Sequence, residues 1–140
     1  MVLTAFLILR YVLSVLLLKG DERMEWYLKV LRQYATFSGR AHRQEYWMFF
    51  LVNFCISLAI NIVAEFSGLV VLSMVYSLAL LLPTLAVTSR RLHDTGRSAW
   101  WLLLLFIPLL GMAVILVLCA LEGDQNSNQY GSNPKLVEGV

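Results

Sequence analysis

The chain has 140 residues, of which 59% are hydrophobic and 14% are charged, and its mean hydropathy is +0.71. Soluble domains are about 45–50% apolar and about 25% charged, so this composition excludes an ordinary soluble domain and indicates a membrane protein. The net charge is only +2, and the sequence has no basic stripe outside the segments that flank the apolar runs. Both observations argue against a nucleic-acid partner.

Residues 1–23 form a hydrophobic N-terminal extension. The apolar stretch 2–18 has Arg10 near its centre, and an arginine in the middle of a spanning helix costs about 2.5 kcal/mol or more. A signal peptide is poorly supported, because the sequence has no positively charged n-region and no A-x-A-like cleavage site before Lys19. We expect either an extra span or a segment in the membrane interface.

Residues 25–37 predict an amphipathic helix. Trp26, Val30, Tyr34 and Phe37 recur at helical spacing, and the charged side chains fall on the opposite face. We expect this helix to lie in the cytoplasmic interface, where its cations reach anionic lipid.

Three uncharged runs, 46–64, 69–89 and 100–121, reach the length of a membrane span. Each has about the twenty residues that cross a hydrocarbon core of about 30 Å, and each must be helical because lipid cannot satisfy free backbone groups. The four-residue connection 65–68 predicts a tight antiparallel hairpin. The expected fold is an all-α three-helix transmembrane bundle with an N-terminal interfacial helix, and a polar tail over 122–140 follows it.

Basic residues cluster before the first run and between the second and third, whereas the connection 65–68 has none and the tail has only Lys135 among several acids. The positive-inside rule therefore predicts that the two basic segments are cytoplasmic and that the tail lies outside. Trp47, Trp100 and Trp101 are the expected aromatic anchors at the inner interface.

Three motifs accompany these runs. They read Phe37-x-Gly39-Arg40-x-x-Arg43-x-Glu45-Tyr46-Trp47, then Arg90-Arg91-Leu92-His93-Asp94-x-x-Arg97-Ser98-x-Trp100-Trp101, and finally Asn128-Gln129-Tyr130-Gly131-Ser132-Asn133-Pro134. Together they resemble the YhaH/YhaI-like bacterial inner-membrane family, catalogued as domain of unknown function 805, over residues 24–136. The resemblance implies a small multi-spanning protein of the bacterial inner membrane and no assigned activity. Residues 1–23 have no counterpart in the pattern, so an over-extended reading frame that truly starts at Met24 is a further alternative for them.

The candidate functional feature is a cytoplasmic polar cluster whose acids and histidine exceed what topology requires. Its members are Arg40, Arg43, Glu45, Arg90, Arg91, His93, Asp94 and Arg97. We expect Arg90 to pair with Asp94, four residues later, and Glu45 to meet Arg91 or Arg97. The cluster would then be a lattice of salt bridges, with contact to lipid headgroups as its second role.

Asn53, Ser57 and Asn61 recur every four residues and form a polar stripe on the first span. Such residues bond between packed membrane helices, and the alternative is a polar path for an ion or small solute.

Catalytic, metal and cofactor sites are not expected. His93 and Asp94 are adjacent and point about 100° apart on a helix, known catalytic motifs are missing, and Cys55 and Cys119 lack metal or redox spacing. The sequence favours a non-catalytic accessory or scaffold protein that engages anionic lipid or a membrane partner through its arginine-rich face. The alternative is a small oligomeric transporter or channel.

Overall fold

The computed structural model describes residues 20–68 and 70–137, and this part of the chain is helical and contains no β-strand. The elements are α1 (Gly20–Arg32), α2 (Arg43–Ser67), α3 (Val70–Asp94), a 3-10 helix (Ala99–Phe106), α4 (Leu110–Ala120) and the short α5 (Pro134–Val137). The apolar stretch 2–18 lies outside the described residues, so its alternatives stay predictions.

Helices α2 and α3 form the predicted hairpin. Each has 25 residues, or about 37 Å at 1.5 Å per residue, which exceeds a hydrocarbon core of about 30 Å. His42 caps α2 by accepting the Gln44 N–H, and Gly68, with φ +70°, ends it. Only 17% of the most apolar stretch of each helix is buried. A core helix of a soluble protein would be mostly buried, so these exposed apolar faces are suited to lipid.

Helix α1 ends earlier than predicted. It runs from Gly20 to Arg32 rather than over 25–37, so Tyr34 and Phe37 lie beyond its end and are exposed. Its inner face packs on α2: Val30 is fully buried, and the ring of Tyr27 stacks on Phe49 with centroids 5.7 Å apart. The predicted apolar face is therefore correct only up to Val30.

The third predicted span, 100–121, is two elements rather than one helix. The 3-10 helix covers its first part and the 11-residue α4 its last part. The arms are about 16 Å long, from a rise of about 2.0 Å per residue in a 3-10 helix and about 1.5 Å in an α-helix. Neither arm alone crosses the hydrocarbon core, so the prediction of a single spanning helix here is wrong.

The break has identifiable causes. Pro108 has no N–H to continue a helical ladder, and Leu109 adopts φ +62° in a tight turn in which the Leu110 N–H donates to the Pro108 carbonyl at 2.7 Å. Gly111 then lets the two arms touch, because a Cβ at this position would overlap the carbonyl of Leu104. The arms therefore form a helical hairpin, which we call the apolar hairpin (99–120).

The apolar hairpin returns the chain to the end of α3. Arg91 donates to the carbonyls of Cys119, at 3.0 Å, and Leu121, and the Asp124 N–H donates to the Asp94 carbonyl at 2.8 Å. The tail thus lies at the same end of the molecule as the two basic segments, which we call the basic end. The prediction that a membrane separates the tail from those segments is therefore wrong.

Candidate functional site

Asp94 joins two buried arginines at the basic end. Arg40 Nε donates to Asp94 Oδ1 at 2.9 Å, and Arg91 donates to the other carboxylate oxygen. The three side chains are 1–6% exposed. The expected pair between Arg90 and Asp94 does not form. Residues three and four apart are both neighbours on a helix, and here Arg91 pairs with Asp94 whereas Arg90 pairs with Glu45 of α2.

Glu45 joins the other cations of the site. Arg90 Nη1 donates to Glu45 Oε1 at 2.8 Å and also to Gln33, while Lys29 Nζ lies 3.2 Å from Glu45 Oε2. Glu45 is fully buried at the start of α2. The predicted partners of Glu45, Arg91 and Arg97, are wrong, and Lys29 was missed because its helical position placed it on the solvent-facing side of α1.

Arg40 also fastens the tail. Its guanidinium donates to the carbonyls of Asp124 at 2.6 Å, Asn126 at 2.8 Å and Gly131 at 3.3 Å. We define the ion-pair cluster as Lys29, Arg40, Glu45, Arg90, Arg91 and Asp94. It draws together α1, the loop before α2, the end of α3 and the tail.

His93 adds a stacked contact beside the ion-pair cluster. Its ring lies parallel to that of Tyr130, with centroids 3.9 Å apart. Its Nδ1 lies 3.1 Å from the Gly39 carbonyl, and since a carbonyl only accepts, Nδ1 carries the hydrogen. Asn128 donates to the His93 carbonyl at 2.9 Å. His93 therefore joins the loop, α3 and the tail.

Two arginines of the predicted cluster lie outside the network. Arg43 is exposed, and Arg97 donates to the carbonyl of Thr95 at 3.2 Å. Among the predicted anchors, Trp100 and Trp101 are exposed at the start of the apolar hairpin, whereas Trp47 is half-buried.

The polar stripe contributes one buried junction. Asn53 Oδ1 accepts from the hydroxyls of Tyr76 at 2.8 Å and Tyr27 at 3.4 Å, which links α1, α2 and α3. Ser57 also hydrogen-bonds Tyr76. Asn61 is exposed and donates to the Ser57 carbonyl of its own helix at 2.7 Å. Among the residues that the structure describes, the stripe therefore bonds to neighbouring helices in its first half, at Asn53 and Ser57.

Comparison with known proteins places the chain in a family. The family described as "Protein of unknown function (DUF805)" matches residues 34–132. The chain belongs to this family. Inner membrane protein YhaI of Escherichia coli (strain K12) is 52% identical over 114 residues, which are 80% of this chain and 97% of that protein. Inner membrane protein YhaH of the same strain is 44% identical over 119 residues, 81% of this chain and 98% of that protein. No solved structure matches.

The predicted family is thus confirmed, and the names of these DUF805 relatives together with two long apolar helices support a membrane protein. The three motifs that carry the resemblance meet at the basic end: the first supplies Arg40 and Glu45, the second Arg90 to Asp94, and the third Tyr130. Within the described residues, no group of three or more His, Cys, Asp or Glu side chains could hold a metal.

Proposed function

We propose that this DUF805 chain is a non-catalytic accessory or scaffold protein of the inner membrane, whose basic end is a fixed platform that engages anionic lipid. The observation that carries the proposal is the ion-pair cluster, because its charged side chains pair with one another and thereby connect separate segments of the chain. Arg40 and Arg91 each donate to one carboxylate and to several backbone carbonyls, which fixes their position, as a structural role requires.

The cations that face outward differ from those expected from the sequence. The side chains of Arg40, Arg90 and Arg91 are buried, whereas Arg32 and Arg43 are exposed at the basic end. A basic side chain near an anionic membrane surface contributes about 1 kcal/mol of attraction. We therefore assign headgroup contact to Arg32 and Arg43, with the buried arginines holding the platform in shape.

We propose a membrane arrangement that is compatible with this geometry. Helices α2 and α3 span the bilayer, α1 lies along the interface, and the basic end and tail are cytoplasmic by the positive-inside rule. The apolar hairpin enters from that side. Its arms of about 16 Å reach about half of a core of about 30 Å. Trp100 and Trp101 sit at its start, the depth that amphipathic rings prefer.

The experiment is purification from native membranes in a mild detergent, followed by mass spectrometry of every retained lipid and protein. We expect enrichment of anionic lipids over the bulk membrane, and loss of that enrichment in the double variant Arg32→Gln/Arg43→Gln. The control is Lys135→Gln, because Lys135 Nζ already lies 3.3 Å from Glu122 and its hydrogen bond holds the pKa of Glu122 below its ordinary value. A retained lipid composition equal to that of the bulk membrane would contradict the proposal. Ion or solute flux in liposomes would favour the channel alternative.

A further inference from the structure

A cavity of about 280 Å³ opens at the basic end between α1, the loop before α2 and the tail. Three cations line it, Lys29, Arg40 and Arg90, and the hydroxyl-bearing residues Thr36, Ser38 and Ser132 complete its polar wall. None of its lining residues is acidic. The cavity is therefore lined by hydrogen-bond donors and positive charge.

Arg90 is incompletely satisfied at this cavity. It is 2% exposed, and only its Nη1 finds acceptors, on Glu45 and Gln33. Its buried Nε and Nη2 have no hydrogen-bond partner among the described residues. A guanidinium offers five N–H donors in a planar fork, and buried donors without acceptors are costly. The guanidinium groups of Arg40 and Arg91, by contrast, donate to backbone carbonyls as well as to Asp94.

The charges of the ion-pair cluster do not balance. Within the described part of the chain its buried members are three cations, Arg40, Arg90 and Arg91, against the two carboxylates of Glu45 and Asp94, an excess of one positive charge. The partly exposed Lys29 adds to the positive charge around the cavity. The nearby Asp124 carboxylate is turned instead toward Asn128, which donates to it at 2.8 Å. An uncompensated buried charge destabilises a protein strongly, so an anion in the cavity would stabilise the fold.

We infer that this cavity binds a phosphate group, held by the free nitrogens of Arg90 and by the charges of Arg40 and Lys29. Inorganic phosphate and phosphate monoesters carry a charge of about −1.5 to −2 at neutral pH, and the phosphodiester of a phospholipid headgroup carries a single negative charge. Arginine binds the free oxygens of either group in a two-pronged contact. The group comes from a lipid headgroup or from phosphate in solution. The inference deepens the proposed lipid engagement, on which the lipid source rests: Arg32 and Arg43 attract the anionic surface, and the cavity holds the phosphate of one bound lipid.

The test places a carboxylate in the cavity. Ser132 is exposed on the cavity wall, so Ser132→Glu supplies negative charge without disturbing the core. Ser127→Glu is the matched control, because Ser127 is exposed in the same tail and does not line the cavity. Thr36→Glu repeats the test from the α1 side in case the tail variant misfolds. Each purified variant is assayed by equilibrium binding of radiolabelled inorganic phosphate and by native mass spectrometry of retained phospholipid.

We expect the wild type to bind one inorganic phosphate or to retain one phospholipid per chain, Ser132→Glu to weaken this at least tenfold, and Ser127→Glu to match the wild type. Binding of inorganic phosphate to delipidated protein identifies solution phosphate as the source, and retention of phospholipid alone identifies the headgroup. The absence of both, or equal effects of the two glutamates, would overturn the inference. The Arg32→Gln/Arg43→Gln variant leaves the cavity intact, so it reports separately on the proposed function.

Discussion

Replacement of Asp94 by asparagine tests the ion-pair cluster most severely. Asp94→Asn keeps the size of the side chain but removes the charge that Arg40 and Arg91 share, and both arginines are about 1% exposed. Removal of one partner from a buried ion pair costs about 3–5 kcal/mol. Since both arginines keep their backbone carbonyl acceptors, we expect a loss near the lower limit, about 3 kcal/mol of unfolding free energy.

The assay is equilibrium unfolding of the purified protein by sodium dodecyl sulfate in mixed detergent micelles, followed by circular dichroism. Limited proteolysis of the tail provides a second readout, because Arg40 keeps its tail acceptors but loses the carboxylate that orients its guanidinium, so the tail should open more often. Glu122→Gln is the control, since Glu122 is exposed and its ion pair is with the exposed Lys135, and we expect no measurable change there. Wild-type stability and wild-type proteolysis of Asp94→Asn would refute the role of Asp94.

Two further substitutions probe the apolar hairpin and the polar junction by the same unfolding assay. Gly111→Ala places a Cβ against the Leu104 carbonyl, so we expect it to destabilise the protein. Ala113→Leu is the control, because Ala113 is exposed, and it should leave the stability unchanged. Equal stabilities of the two variants would contradict the close contact of the arms. Asn53→Leu removes the acceptor of two tyrosine hydroxyls and should cost about 1–2 kcal/mol, whereas Asn61→Leu, on an exposed position, should cost less. A larger loss in Asn61→Leu would contradict the junction.

The hairpin of α2 and α3 could be predicted from the sequence because its signals are local. Two uncharged runs of sufficient length stand on either side of residues 65–68, and Gly68 takes the left-handed conformation that ends α2. The helices extend beyond the uncharged runs at the basic end, through Arg43 and Asp94. Hydropathy alone misses these turns because the charges of Glu45, Arg90, Arg91 and Asp94 are buried against one another rather than exposed to lipid.

The apolar hairpin could not be predicted in the same way. Run 100–121 has the length and hydropathy of a span, and hydropathy does not distinguish one long helix from two half-length arms. Pro108 and Gly111 were visible, but a proline also occurs inside α3, at Pro83, without breaking that helix. Whether this run forms one helix or two depends on whether the two arms can pack against each other. That packing requires the close contact between Gly111 and the Leu104 carbonyl, which is visible only in the structure.

The error in the position of the tail followed from that first error, since a third span would have carried the tail across the membrane. The charge of the tail agreed with this wrong position, because its one basic residue, Lys135, stands among several acids and the positive-inside rule places such a segment outside. The contacts that tie the tail to the basic end are made by Arg40 to backbone carbonyls, which every residue has and no sequence pattern reveals. Similarly, the composition of the polar cluster was predictable, but the choice between Arg90 and Arg91 as the partner of Asp94 depends on the long-range contacts of the two arginines, with Glu45 for Arg90 and with the Cys119 carbonyl for Arg91.

The central claim is that the apolar hairpin returns the tail to the basic end, and labelling of single cysteines tests it directly. Gln44→Cys marks the basic end, Ser67→Cys marks the connection between α2 and α3, and Ser127→Cys marks the tail, in a background in which Cys55 and Cys119 are replaced by alanine. A membrane-impermeant maleimide is applied to right-side-out and inverted vesicles. We expect Ser127→Cys and Gln44→Cys to react from the same side and Ser67→Cys from the other. Reaction of Ser127→Cys from the side of Ser67→Cys would contradict the claim.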